Sequence, residues 1–162
     1  MVWSAVRLWI PTPSGRQRVN VLAALNAITH EVVSVVNETY INSACVCQLL
    51  RKIAALNLAV PVTIVLDNAR YQRCRLVQAL ARSLNIELLF LPSYSPNLNL
   101  IERFWKFVKK QCLYSKYYPT FPKFKKAILD CVLTATEKHK EELTSLLTLK
   151  FQSFKKVNVM IT

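Results

Sequence analysis

Two carboxylates in this 162-residue chain stand where side chains from distant sequence can do chemistry together. Asp67 directly follows the apolar run Val62-Thr63-Ile64-Val65-Leu66. Glu102 comes after a second run, Ile86-Glu87-Leu88-Leu89-Phe90-Leu91, and a proline-containing loop. In open α/β sheets, ligand sites form at the carboxyl ends of the strands. A residue just past one strand and a residue at the start of the helix after the next strand can therefore converge. Carboxylate oxygens are the hard ligands that Mg2+ prefers, and one or two per ion suffice because the ion keeps several waters. Ions held this way activate a water or a 3′-hydroxyl and stabilise the leaving oxygen of a phosphodiester. Plainer roles also fit: Asp67 as the N-cap of the following helix, and Glu102 as a first-turn acid that favours the helix dipole and pairs with Lys106 at i+4. The residue pattern alone leaves both open.

The second ingredient is charge. Lys and Arg total 22 against 9 Asp and Glu, a formal +13. Such a surface attracts polyanions, because neutralising phosphates releases condensed counterions, although membrane surfaces and acidic proteins attract it too. Arg70, Arg73, Arg75, Arg103, Lys106, Lys109, Lys110, Lys123, Lys125 and Lys126 cluster around or after the two acids. As a group they suit a phosphate backbone held without sequence readout; singly, each is an ordinary solvated side chain. Tyr94 and Trp105 offer rings for stacking on an unpaired base, but Trp105 shares an apolar stripe with Ile101 and Val108, which points to the core.

Composition excludes several classes. The single glycine, Gly15, rules out a Walker loop and a dinucleotide-binding glycine turn. Five cysteines, at 45, 47, 74, 112 and 131, are odd in number and form no CxxC pair, so reduced thiols are expected rather than a disulfide framework or a zinc site. His30 and His139 lie far from any cysteine pair and read as surface or structural residues. The start has no basic segment followed by an apolar stretch, and no apolar run reaches the roughly 18 residues of a spanning helix. A cytoplasmic location and no membrane partner are therefore expected. With hydrophobic residues at 52%, one domain with a sizeable core is expected.

The elements that must position the two acids follow from periodicity. Residues 18–25 and 31–36 read as strands of a hairpin or meander, preceded by a turn at Pro11-Thr12-Pro13-Ser14-Gly15. Asn42 or Ser43 caps a helix running towards Asn57, with Val46, Leu49, Leu50, Ile53 and Leu56 on one face. After Pro61, residues 62–66 read as a strand buried on both faces. A helix over about 70–84 turns Leu76, Val77, Leu80 and Leu84 inward, and residues 86–91 form the next strand. Strand, helix, strand in this order implies a parallel βαβ unit. Asn97 or Asn99 caps the helix of Glu102, whose apolar face is Ile101, Trp105, Val108 and Cys112. A further helical segment spans about 123–149.

On these residues a resemblance stands out. Val65-Leu66-Asp67-Asn68-Ala69-Arg70, followed by Leu91-Pro92-Ser93-Tyr94-Ser95-Pro96-Asn97-Leu98-Asn99-Leu100-Ile101-Glu102-Arg103-Phe104-Trp105, resembles the DDE transposases of the Tc/mariner superfamily, most closely the bacterial insertion-sequence 630 type. The 34 residues between Asp67 and Glu102 match that family's spacing. Trp3 and Arg18-Val19-Asn20-Val21-Leu22-Ala23-Ala24-Leu25 look like its strands between the first and second acids. The resemblance implies a ribonuclease-H-like α/β fold, a mixed sheet flanked by helices. It also implies Mg2+ or Mn2+ held by Asp67 and Glu102, and DNA as substrate, cleaved at an element end and then joined through its 3′-hydroxyl to a target. DNA contacts would fall to Asn68, Arg70, Arg73, Tyr94, Arg103, Lys106, Lys109 and Lys110.

The departures carry their own expectations. The family's first catalytic Asp precedes the segment around Trp3, whereas the two aspartates here are Asp67 and Asp130. The helix-turn-helix region of the family is also not found. Residues 1–162 thus read as one truncated catalytic domain lacking the N-terminal strand, with little or no activity alone and an unpaired sheet edge prone to self-association. Glu31 and Glu38 are poor replacements for the lost acid. A histidine common in the family soon after LDNA is Gln72, and the proline of LNPIE is Leu100. The alternative is a non-catalytic DNA-binding or dimerising remnant, able to form homodimers or mixed assemblies with an intact transposase. A third possibility is an upstream reading frame that supplies the missing Asp.

Overall fold

The computed structural model describes residues 17–92 and 99–149. Within them lie two strands, a helix, a strand–helix–strand unit and three further helices. The turn expected at residues 11–15, the segment around Trp3, most of the loop before Glu102, including Tyr94, and the terminal lysines lie outside the described residues.

The β-branched and alternating segment forms a hairpin. β1 (Asn20–Leu25) pairs antiparallel with β2 (Val32–Asn37), Leu22 opposite Val35. Its connection is closed by an Asx turn, in which the Asn26 side chain accepts from the backbone N–H of Ile28 and Thr29 at 2.8 and 3.0 Å. Helix α1 (Ser43–Ala54) is capped by the Asn42 side chain, which accepts from Cys45 N–H. It buries Val46, Leu49, Leu50 and Ile53 as their spacing predicts, but it stops before Leu56, which is 52% exposed. The chain turns there through Asn57 at φ 48°, a left-handed conformation that Asn tolerates well.

The parallel βαβ unit is present. β3 (Val62–Leu66) pairs parallel with β4 (Ile86–Phe90) across α2 (Arg75–Ser83). Two details differ from expectation. α2 starts at Arg75, because residues 70–74 form a turn, and this rotates Leu76 outward while Val77 and Ala81 take the core positions. β3 is not buried on both faces: its residues alternate, and Thr63, Val65, Glu87 and Leu89 stay exposed on one side of the pair. On that side the Thr63 hydroxyl donates to the Glu87 carboxylate, which gives Glu87 a partner.

The hairpin is a wall between two cores. On one side Leu22, Ala24, Val33 and Val35 pack with α1, with Val77 and Ala81 of α2, and with Ile64, Ile86 and Leu88 of the parallel pair. On the other side Val19, Val21, Leu25 and Val32 meet α3 (Leu100–Cys112), α4 (Phe121–Lys138) and α5 (Lys140–Leu146). Period-two alternation along a strand sends successive side chains to opposite faces, so one short hairpin serves both cores. Among the described residues the strands form two separate pairs, β1–β2 and β3–β4.

The expected long final helix is two helices. α4 begins with Pro122 in its first turn, where a missing N–H is harmless. It breaks at His139, whose ring lies edge-on to Phe107 at 5.2 Å. In α3 the deeply buried residues are Phe104, Phe107, Val108 and Cys112, whereas Ile101 and Trp105 are only half-buried. The apolar face is thus rotated from the one read off the sequence, because the two phenylalanines fill the space between α4, α5 and the hairpin.

Candidate functional site

Asp67 directly follows β3, is exposed, and sits at the carboxyl end of the parallel pair. That end is tied shut. Leu91 N–H donates to Leu66 O at 2.8 Å, continuing the ladder one step past the strands, and the Asn68 amide donates to Leu91 O at 2.8 Å. The backbone that presents Asp67 is therefore held by its neighbour Asn68. A local turn follows, with Ala69 N–H donating to Asp67 O and Gln72 N–H to Ala69 O.

The side chain of Asp67 has one described partner. Gln72 Nε2 donates to its Oδ1 at 2.9 Å, while Oδ2 receives no hydrogen bond among the described residues. The position of α2 removes one of the roles left open for Asp67. The N-cap of α2 is Cys74, seven residues later, so Asp67 does not cap that helix. Its negative charge is felt locally: burial first, and Asp67 second, push the Tyr71 hydroxyl above its usual range.

Glu102 lies in the first turn of α3, exposed, with the helix started by the Asn99 side chain accepting from Ile101 N–H. The pairing of Glu102 with Lys106 is not among the described ion pairs, which involve Lys110, Lys125 and His139. No described contact joins Glu102 to Asp67, and residues 93–98 between β4 and α3 lie outside the described residues. Among the described residues no group of three or more His, Cys, Asp or Glu is placed to hold an ion. Glu38 is engaged by Lys125, and Glu31 accepts from the Thr29 hydroxyl. The two acids still fit a hard divalent cation in kind: both are exposed carboxylates, and one oxygen of Asp67 receives no hydrogen bond among the described residues.

The basic residues sort into two groups. Lys106 and Lys109 lie four and seven residues after Glu102 on the exposed face of α3, with no described ion pair. They make one stripe leading from the acid along the helix. Arg70 is exposed three residues after Asp67. Arg73, Arg103 and Lys110 have partners within the fold. Arg103 donates to the backbone oxygens of Leu146 and Thr148 at the end of α5. Arg73 lies over the Phe90 ring at 5.1 Å. Lys110 pairs with Glu142 at the surface, at 3.5 Å. In the sequence all of these are alike, since only the helix packing shows which cations face α5 or a ring. Gln72 joins the site only in the structure; its one signal in the sequence is its place after the LDNA motif.

The sequence of residues 6–125 matches the family described as DDE superfamily endonuclease. No curated protein matches the sequence. By structure, the chain is similar to a chain of the cryo-electron-microscopy structure of the simian T-cell lymphotropic virus intasome in complex with PP2A regulatory subunit B56 gamma, with a TM-score of 0.55 and 15% identity over 90% of this chain. The match spans 59% of the length of that viral-complex chain. That likeness supports the expected α/β, ribonuclease-H-like architecture. Among the described residues no helix is long and apolar enough to cross a membrane.

Proposed function

Because the chain belongs to the DDE superfamily endonucleases, we propose that it is a transposase-type catalytic domain whose substrate is DNA, of the Tc/mariner, insertion-sequence 630 branch. Asp67 and Glu102 are two of its cation ligands. The observation that carries this is the setting of Asp67: it follows the strand at the carboxyl end of the parallel pair, does not cap α2, and among the described residues has one oxygen that receives no hydrogen bond. When bound there, Mg2+ or Mn2+ supplies Lewis acidity towards a water or a 3′-hydroxyl. The chain's own residues do the rest. Asn68 pins the strand end, Asn99 fixes the helix start that carries Glu102, and Lys106, Lys109 and Arg70 hold the phosphate backbone. Arg73, Arg103 and Lys110 brace that surface through their contacts with Phe90, the end of α5 and Glu142.

The two acids are not joined by a third carboxylate among the described residues. By themselves these 162 residues are therefore expected to bind Mn2+ and DNA but to cleave slowly or not at all. The test combines Mn2+ titration, followed by paramagnetic line broadening, with strand cleavage on labelled duplex. Asp67→Ala and Glu102→Ala should each abolish specific Mn2+ broadening. Broadening that is unchanged in both variants would overturn the ligand assignment. Robust Mg2+-dependent cleavage lost in Asp67→Ala would overturn the expected inactivity. Salt-dependent DNA binding without any cation binding would instead favour the non-catalytic remnant.

A further inference from the structure

We infer that Gln72 is a positioning residue for Asp67: a buried neutral amide that fixes the carboxylate while leaving its charge available to a divalent cation. The inference rests on Asp67 being a cation ligand. Gln72 is 4% exposed and is the one buried polar side chain among the described residues. Its Nε2 reaches Asp67 Oδ1 at 2.9 Å. The orientation is forced, because a carboxylate accepts and does not donate. Gln72 Oε1 then faces the interior, where it has no hydrogen-bond partner among the described residues. A buried acceptor without a partner is unfavourable. A glutamine serving only to fill space has no reason to hold that pose, and the charge-assisted bond to Asp67 supplies one.

The charge of the partner is the second point. Arg70, Arg73 and Arg75 lie within eight residues of Asp67, yet the described side-chain donor to its carboxylate is the uncharged one. A guanidinium in that place would neutralise the carboxylate and compete with a metal ion. An amide restricts the rotamer without adding charge. It occupies Oδ1, and Oδ2 receives no hydrogen bond among the described residues. Hydrogen bonds behind metal ligands orient them in this way, and their loss typically lowers metal affinity by 10–100-fold.

The test has a metal-free arm and a metal arm. Without metal, the Gln72 side-chain amide resonances should shift in Asp67→Asn, and no shift would overturn the clasp. With Mn2+, affinity should fall about 10–100-fold in Gln72→Leu, at a melting temperature no lower than wild type. Gln72→His, which restores a neutral N–H donor at pH 8, should recover most of the affinity. Mn2+ binding that is lost in Asp67→Asn but unchanged in Gln72→Leu would overturn the role of Gln72 alone. Failure of the wild-type chain to bind Mn2+ would instead remove the catalytic assignment of Asp67. If Gln72→Leu does not fold, the resonance test on Asp67→Asn still decides.

Discussion

Arg103→Ala should weaken the fold and leave the salt dependence of DNA binding unchanged, although Arg103 sits beside Glu102 in a basic helix. Its guanidinium donates to Thr148 O at 2.9 Å and, through a longer contact of 3.4 Å, to Leu146 O. The second contact is near the limit of a useful hydrogen bond and adds little. A hydrogen bond to a charged donor contributes about 1.5–3 kcal/mol, and a cation at a helix C-terminus about 0.3–1 kcal/mol more. The residue is half-buried, so solvent screening holds the total to about 2 kcal/mol. For a protein of this size, each kcal/mol moves the melting temperature by roughly 2–4 °C, so a loss of about 4–8 °C is expected in scanning calorimetry. The control is Lys106→Ala and Lys109→Ala, exposed positions that should melt within about 0.5 kcal/mol of wild type. Fluorescence anisotropy on a labelled duplex across a salt series gives the other readout. Each lysine variant should flatten the slope of log K against log salt by about 0.9, and Arg103→Ala should not. An Arg103→Ala protein that melts like wild type yet loses a unit of slope would refute the division of the basic residues into structural and phosphate-facing sets.

Phe104 is fully buried between the hairpin, α4 and α5, so Phe104→Ala should cost about 3–5 kcal/mol, measured as a lower urea midpoint; a loss under about 1 kcal/mol would contradict that packing. Stability should also fall on the alkaline side. Burial first, and then the neighbouring Cys131 thiol, push Cys112 from 9.0 up to about 12. Between these values the unfolded chain releases a proton that the folded chain keeps, so the unfolded state gains as pH rises. Urea midpoints should be level below about pH 9 and decline above it, and Cys112→Ala should flatten that decline.

The sequence by itself determined the local elements and singled out the two acids as candidates. Alternation marked the hairpin, cap candidates at Asn42 or Ser43 and at Asn97 or Asn99 marked two helix starts, and the continuous run before Asp67 marked a strand with a parallel partner. These features depend on backbone preferences and on period, which neighbouring residues carry. Tertiary structure decided what depends on neighbours from elsewhere. β3 looks like a strand buried twice over, yet only one of its faces is covered among the described residues, and hydrophobicity alone cannot count covering layers. α3 has several apolar stripes within one turn of each other, and the meeting of α4 and α5 selected the one with Phe104 and Phe107. Arg103 and Lys106 are alike in sequence, and they part company because one faces the end of α5 and the other faces water. Gln72 shows the same limit most sharply. Its type allowed a hydrogen bond, but the partner and the burial came from a turn that delays α2 until Arg75 and folds the glutamine beneath the carboxylate it serves.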